Sequence, residues 1–140
     1  MKDTLKPGIK YQCKFTVTDS QTVPAMYPNS GEAALRPDVF ATGFLVGFLE
    51  LACVRAIIPH LDWPEEQAVG TFISVTHEAA TPIGMEVTAN VELIDVEGRK
   101  LIFQVEAHDE VDLISRGRHE RMIVNKRQFE DRAKSKLTRN

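Results

Sequence analysis

The sequence has few of the features that mark several common classes of protein. Its only two cysteines, Cys13 and Cys53, make no disulfide framework and lack the Cys-x-x-Cys spacing of a metal or redox site. Lys and Arg number 17 against 20 Asp and Glu, for a formal charge of −3, whereas general nucleic-acid binders usually carry a basic excess. The first twelve residues have no apolar signal core, and the longest apolar stretch, residues 43–54, falls short of the ~20 residues of a membrane span. We therefore expect a cytoplasmic protein with no nucleic-acid or membrane partner.

Length and composition predict one globular domain over residues 1–140. Hydrophobic residues make up 43% of the chain and charged residues 26%, which is an ordinary balance for a globular protein. A chain of this length has no room for a second core of useful size.

The periodicity of the apolar residues predicts an α+β fold. Residues 11–17 alternate as a half-buried strand does, and residues 38–58 form the one long helix candidate, with Pro59 as the stop. The helix is apolar nearly all round, so we expect a curved antiparallel sheet to wrap around it and bury most of its sides. Residues 19–37, rich in proline, are predicted to form a long loop of the kind that often acts as a lid. The remaining strands are predicted as an antiparallel meander at 68–77, 85–96, 100–108 and 113–124, before a C-terminal helix from Lys126.

Glu50 is the most informative residue of the predicted helix, because it is the only charge between Asp38 and Arg55. A buried carboxylate is costly unless it is paired, protonated or part of a site. A pair with Arg55 or a buried hydrogen bond is the structural explanation, and a catalytic role is the functional one. Thr42 and Gly43 lie near the start of the same helix, where unsatisfied amides can hold a carbonyl oxygen as it gains negative charge.

Thr42 and Glu50 are too far apart to cooperate within one ideal helix. They are eight residues apart, which is ~12 Å along a helix axis. Two copies of the helix running antiparallel across a dimer axis would bring Thr42 of one chain towards Glu50 of the other. The spacing therefore predicts a homodimer.

His77 is the histidine best placed to join these residues. It ends a predicted strand on the same face as Ile73 and Val75, and this apolar face is expected to meet the helix. The other three histidines, His60, His108 and His119, are predicted to lie at the surface. The chain has no glycine-rich phosphate loop, no Gly-x-Ser-x-Gly elbow and no metal-ligand cluster. A threonine, a glutamate and a histidine remain, and such a set can activate water or a hydroxyl against an acyl group.

Several segments of the sequence resemble the fluoroacetyl-CoA thioesterase family of hot-dog-fold proteins. The resemblance runs from about Tyr11 to Phe129 with matching segment order and near-identical spacing. It is carried by VFATGFLVG (39–47), ACVRA (52–56), VTHEAATPIG (75–84), VEGR (96–99), AHD (107–109) and HER (119–121).

The resemblance implies a homodimeric hot-dog fold that hydrolyses an acyl-CoA thioester without a metal or other cofactor. The family's catalytic threonine, glutamate and histidine fall on Thr42, Glu50 and His77. A glycine that lines the thioester carbonyl falls on Gly70, and Arg121 lies in a matching segment that is a candidate for CoA binding. The expected substrate-binding residues are Gly43, Gly70, Phe40 and Arg121.

The sequence departs from this resemblance in the predicted lid. The fluoroacetyl-specific member of the family has phenylalanines that form a gate over the small acyl group, whereas this chain has Ala33 and Arg36 at those positions. Phe40 remains. We therefore expect thioesterase chemistry without a large preference for fluoroacetyl-CoA.

Two other functions stay open on the sequence alone. One is a non-catalytic acyl-CoA or small-ligand binding protein that has kept the pocket, since a fold alone does not define a function. The other is a hot-dog hydratase, which is disfavoured because such enzymes use a histidine and an aspartate at the helix, and this helix has no histidine.

Overall fold

A computed structural model describes residues 1–139 as a five-stranded antiparallel sheet around one long helix. The predicted α+β architecture is confirmed. The strands are β1 (Lys10–Thr16), β2 (Glu66–Val75), β3 (Glu86–Glu97), β4 (Lys100–His108) and β5 (Leu113–Asn125). The helices are α1 (Val23–Met26), α2 (Gly31–Ala34), α3 (Thr42–Ile57) and α4 (Lys126–Lys134), with 3-10 turns at Asp19–Gln21, Ile58–His60 and Ser135–Thr138. The predicted loop at 19–37 thus contains two short helices.

The order of the strands differs from the predicted meander. The sheet runs β1-β3-β4-β5-β2, so that only β3, β4 and β5 are sequential neighbours, and β2 pairs with β5 at the far edge. Neighbouring strands lie about 5 Å apart, and ten extended residues reach about 33 Å. The connection over residues 76–85 is therefore long enough to cross from that edge to β3.

One face of the sheet packs onto α3 and forms the core. Alternate residues of β3, namely Val87, Ala89, Val91 and Leu93, are buried as the alternation predicts. On the helix, Leu45 and Leu49 are fully buried. Phe15 of β1 packs its ring against Phe48 of α3, with centroids 4.7 Å apart.

The long helix begins four residues later than its sequence predicts. Val39 and Phe40 are extended, because each forms a single β-bridge with a neighbouring segment. Ala41 is then the N-cap, and Thr42 is the first helical residue. Asp38 therefore does not start the helix.

One face of α3 is open, so the prediction of a helix buried on most sides is wrong there. Gly43, Gly47 and Leu51 are exposed, and the Glu50 side chain between them is 39% exposed. These residues recur at intervals of three and four, and they form a single stripe along the helix.

The apolar helical segment is longer than the stretch over residues 43–54 that the sequence indicated. Together with the turn that follows it, it runs over Thr42–His60, 19 residues with a mean hydropathy of 1.6, which by length and composition suffices to cross a membrane. It packs against the sheet, in the position of a core helix.

Candidate active site

Thr42 and His77 lie in direct contact although 35 residues separate them in sequence. Thr42 is the first residue of α3, and His77 follows the last residue of β2 by two positions. Thr42 Oγ1 and His77 Nδ1 are 2.8 Å apart, which is a hydrogen bond. Burial lowers the pKa of His77, so its ring is held neutral near pH 7. Its Nε2 atom is buried and has no partner among residues 1–139.

The start of α3 leaves backbone amides available beside this pair. Ala41 provides no side-chain cap, so the first-turn N–H groups have no side-chain acceptor. Met26 packs over Gly43 so closely that a Cβ there would lie 2.5 Å from the Met26 methyl carbon. The glycine thus lets the side chain of Met26 pack against the first turn of α3.

Glu50 is paired with Arg121 and not with Arg55. Arg121 Nη1 donates to Glu50 Oε2 at 3.1 Å, whereas Arg55 donates to Cys13 Sγ at 3.1 Å. The Arg121 side chain is 7% exposed and that of Glu50 39%, so the expectation of a buried carboxylate is wrong. The carboxylate faces the open side of the helix, and a buried cation holds one of its oxygens.

His119 belongs to the same cluster, which corrects its predicted surface position. It is 1% exposed, its Nδ1 is 2.7 Å from the Phe72 carbonyl oxygen, and its Nε2 is 3.1 Å from Arg121 Nη1. The charged run Arg118-His119-Glu120-Arg121 concealed this position. The alternation of side chains along a strand could have revealed it, because every second residue faces the same side of the sheet. His119 and Arg121 point inward, while Arg118 and Glu120 form an ion pair on the outer side.

Gly70 lies where β2 passes the Glu50 carboxylate. A Cβ at Gly70 would be 2.9 Å from Glu50 Oε2, 3.4 Å from His119 Cε1 and 3.5 Å from Arg121 Nη1. The sheet backbone can approach the carboxylate only because this residue has no side chain.

The structure thus assembles the predicted site residues into two groups. Thr42 and Gly43 join His77 at the start of α3, while Glu50 joins Gly70 and Arg121 two turns further along. One chain does not bring these groups together. Phe40 belongs to neither, because it is fully buried in the core, with its ring centroid 5.4 Å from that of Phe15.

A wide concavity lies elsewhere on the described part of the chain. It has a volume of about 920 Å³ and opens over β1, β3, β4 and β5, with polar residues such as Gln12, Asn90 and Gln104 along it. None of the predicted site residues lines it. Thr42 and Glu50 of α3 therefore lie away from this concavity.

This arrangement suits attack on a carbonyl group. Free helix amides and the Thr42 hydroxyl can hold an oxygen that becomes negative, and Glu50 offers a carboxylate oxygen that the hydrogen bond from Arg121 does not use. A neutral His77 can accept or donate a proton. No group of three or more His, Cys, Asp or Glu side chains in residues 1–139 could hold a metal ion.

The architecture is that of the hot-dog-fold thioesterase superfamily. A thioesterase superfamily member from Thermus thermophilus, 28% identical, superposes with a TM-score of 0.84 and covers 99% of each chain. The predicted hot-dog fold is confirmed. Residues 17–127 match the model of the family described as FlK, fluoroacetyl-CoA-specific thioesterase. The chain belongs to this family.

Two further comparisons extend over nearly the whole chain. A fluoroacetyl-CoA thioesterase from Streptantibioticus cattleyicolor is 48% identical over 136 residues, which is 97% of each protein. A solved structure of the fluoroacetyl-CoA thioesterase FlK is 47% identical and superposes with a TM-score of 0.92, covering 96% of this chain and 98% of that one.

Proposed function

We propose that this protein is an acyl-CoA thioesterase that hydrolyses a small acyl-CoA thioester to the free acid and CoA. The close relationship to a fluoroacetyl-CoA thioesterase supports the reaction class. The observation that carries the proposal is Glu50, a carboxylate on the open face of an apolar helix with one oxygen held by a buried arginine.

The geometry suggests a role for each group. The helix amides and Thr42 would hold the thioester oxygen as the acyl carbon is attacked. Glu50 would supply the attack, either by removing a proton from water or by adding to the carbon itself. The bond from carbon to sulfur breaks, the oxygen of water ends in the acid, and a proton ends on the thiol of CoA. His77, neutral beside Thr42, is suited to carry that proton.

Glu50→Gln tests the proposal, because it keeps the shape of the side chain and removes its charge and basicity. We expect kcat to fall by roughly 10²-fold or more, the usual scale for loss of a general base. Free-thiol release from a panel of short, branched and aromatic acyl-CoAs measures this. The matched control is Glu97→Gln at the exposed end of β3, which should keep full turnover. Full activity in a folded Glu50→Gln protein would refute the assignment.

We also propose that the working form is a homodimer. The open stripe on α3 is apolar apart from Glu50, and β2 is an edge strand with Phe72 48% exposed. Uncovered edges and apolar stripes favour association. A two-fold axis that sets two α3 helices antiparallel would bring Thr42 and His77 of one chain towards Glu50 of the other. Leu51→Glu, at the C-terminal end of the stripe, should then shift sedimentation towards a 15.7 kDa species.

Mixing two inactive variants tests whether the site is shared. In an equal mixture of Thr42→Ala and Glu50→Gln chains that exchange freely, half of the dimers contain one chain of each variant. If each site takes Thr42 from one chain and Glu50 from the other, each of these mixed dimers has one intact site out of two. About a quarter of the wild-type activity should then return. If each chain carries its own complete site, the mixture stays as inactive as its components.

The substrate is proposed to be a small acyl-CoA without strong selection for fluorine. Ala33 is buried and Arg36 exposed on the segment before α3, so neither supplies an aromatic cover. We expect fluoroacetyl-CoA and acetyl-CoA to be hydrolysed at similar kcat/KM. A preference of many orders of magnitude would contradict this.

The proposed reaction takes place in the cytoplasm and needs no cofactor. Both cysteines are free and buried, as suits a reducing compartment. Burial raises the pKa of Cys53 to about 12, so this thiol should not interfere with a thiol-release assay on the folded protein. Turnover should survive dialysis against a chelator, and its loss would contradict a metal-free reaction.

A further inference from the structure

His119 holds a fixed position between the sheet backbone and Arg121. It lies on the inner side of β5, and its ring stacks on Phe103 with centroids 6.4 Å apart. Its Nδ1 atom is 2.7 Å from the Phe72 carbonyl oxygen. A carbonyl oxygen only accepts hydrogen bonds, so Nδ1 carries the proton.

The other ring nitrogen must then act as an acceptor. Burial lowers the pKa of His119, and the neighbouring charge of Arg121 lowers it further, against opposing effects of the Phe72 carbonyl, Glu50 and Glu120. The ring is therefore neutral near pH 7, and its bare Nε2 faces Arg121 Nη1 at 3.1 Å. The direction of this bond is settled, because a guanidinium can only donate.

Arg121 is thereby held on three sides. Its Nη1 donates both to His119 Nε2 and to Glu50 Oε2, and its Nη2 donates to the Ala68 carbonyl oxygen at 2.7 Å. Its Nε has no partner among residues 1–139. Two of the three acceptors belong to the sheet, so the guanidinium is fixed to the sheet. Its hydrogen bond to Glu50 then fixes the position of that carboxylate relative to the sheet.

We propose that His119 is a positioning residue that holds the guanidinium of Arg121 against Glu50 and so sets where the carboxylate meets the acyl carbon. The inference rests on the proposed thioesterase function and adds a further residue to its machinery. It explains why a polar ring is kept in a fully buried position. An apolar side chain there would leave an N–H of Arg121 and the Phe72 carbonyl without partners.

A pair of substitutions separates positioning from mere packing. His119→Phe fills the space without an acceptor, whereas His119→Gln keeps an amide oxygen that can accept from Arg121. A reacting group displaced by about 1 Å can cost about 10²-fold in rate, so we expect His119→Phe to lower kcat by about tenfold or more, with KM changed less than about threefold. His119→Gln should recover most of kcat. The control is His60→Phe, which removes a similar ring contact, to Thr4 Oγ1 at 2.7 Å, outside the site.

Nitrogen NMR supplies a readout that does not depend on activity. The wild-type protein should show His119 protonated at Nδ1 and bare at Nε2, and hydrogen-bonded Arg121 N–H signals that remain distinct. These signals should persist in His119→Gln and average in His119→Phe. A proton on Nε2 in the wild-type protein would overturn the proposal, as would wild-type kcat in His119→Phe or equal damage by Gln and Phe.

The two proposals can fail separately. If no acyl-CoA is hydrolysed by the wild-type protein, the thioesterase proposal fails, while the tautomer of His119 and the Arg121 signals still decide whether His119 holds the guanidinium of Arg121. If thioesters are hydrolysed equally by all the variants, the thioesterase proposal stands and the positioning role fails. Should His119→Phe not fold, the kinetics of His119→Gln and the wild-type tautomer decide the question.

Discussion

Gly70→Ala is the smallest change that should disturb the carboxylate of Glu50 directly. The added Cβ would lie 2.9 Å from Glu50 Oε2, which is about 0.5 Å short of ordinary contact, while its distances to His119 and Arg121 are acceptable at 3.4 and 3.5 Å. The atom that must yield is the far end of a flexible, partly exposed side chain. We therefore expect the carboxylate to move by about half an ångström while the sheet stays in place.

This displacement should affect the rate much more than the stability. If 1 Å costs about 10²-fold, half of that costs about tenfold in kcat. Stability gains about 0.4–1 kcal/mol from the stiffer unfolded chain and loses a similar amount from the crowded carboxylate, so Tm should change by less than about 4 °C. Rate and stability would thus separate in a single variant.

Thiol release at saturating acyl-CoA measures kcat, and thermal unfolding of the same preparation measures Tm. Gly31→Ala is the control, because a Cβ there meets nothing within 4 Å. Gly31→Ala also stiffens the unfolded chain, but its added Cβ does not contact Glu50. A folded Gly70→Ala protein with wild-type kcat would refute the idea that this close approach sets the position of the carboxylate.

Two further predictions concern pH and the missing gate. Burial lowers the pKa of His77 and His119 in the folded protein, so below about pH 6.5 the unfolded chain takes up protons that the folded one resists. These two histidines should therefore lower the free energy of unfolding as the pH falls from about 6.5 towards their folded-state pKa values. Urea titrations at pH 7.5 and 5.5 check this. A higher free energy of unfolding at pH 5.5 than at pH 7.5 would contradict it. Replacing both Ala33 and Arg36 by phenylalanine should raise the ratio of kcat/KM for fluoroacetyl-CoA over acetyl-CoA; an unchanged ratio would show that the gate positions were misassigned.

The limits of the local patterns are clearest at β2 and His119. Alternation located the segment that became β2, but not its place beside β5, because pairing depends on which edge the preceding crossover reaches. The same alternation was present around His119, where alternating charges hid which side faces the helix. Only the burial of Ile123 and Arg121, which lie on the same side of β5 as His119, shows that this side faces the core.

The amino-acid sequence by itself determined the elements and part of the site. The apolar run predicted α3, strict alternation predicted β3, and the bounds of β4 were predicted as observed, because periodicity and turn residues act over a few positions. The same local signals placed Thr42 near the start of this helix. Tertiary structure alone decided the partner of Glu50, since Arg121 lies 71 residues away and reaches it only through the pairing of β5 with β2. It also opened one face of α3, because a five-stranded sheet covers only part of the circumference of a helix.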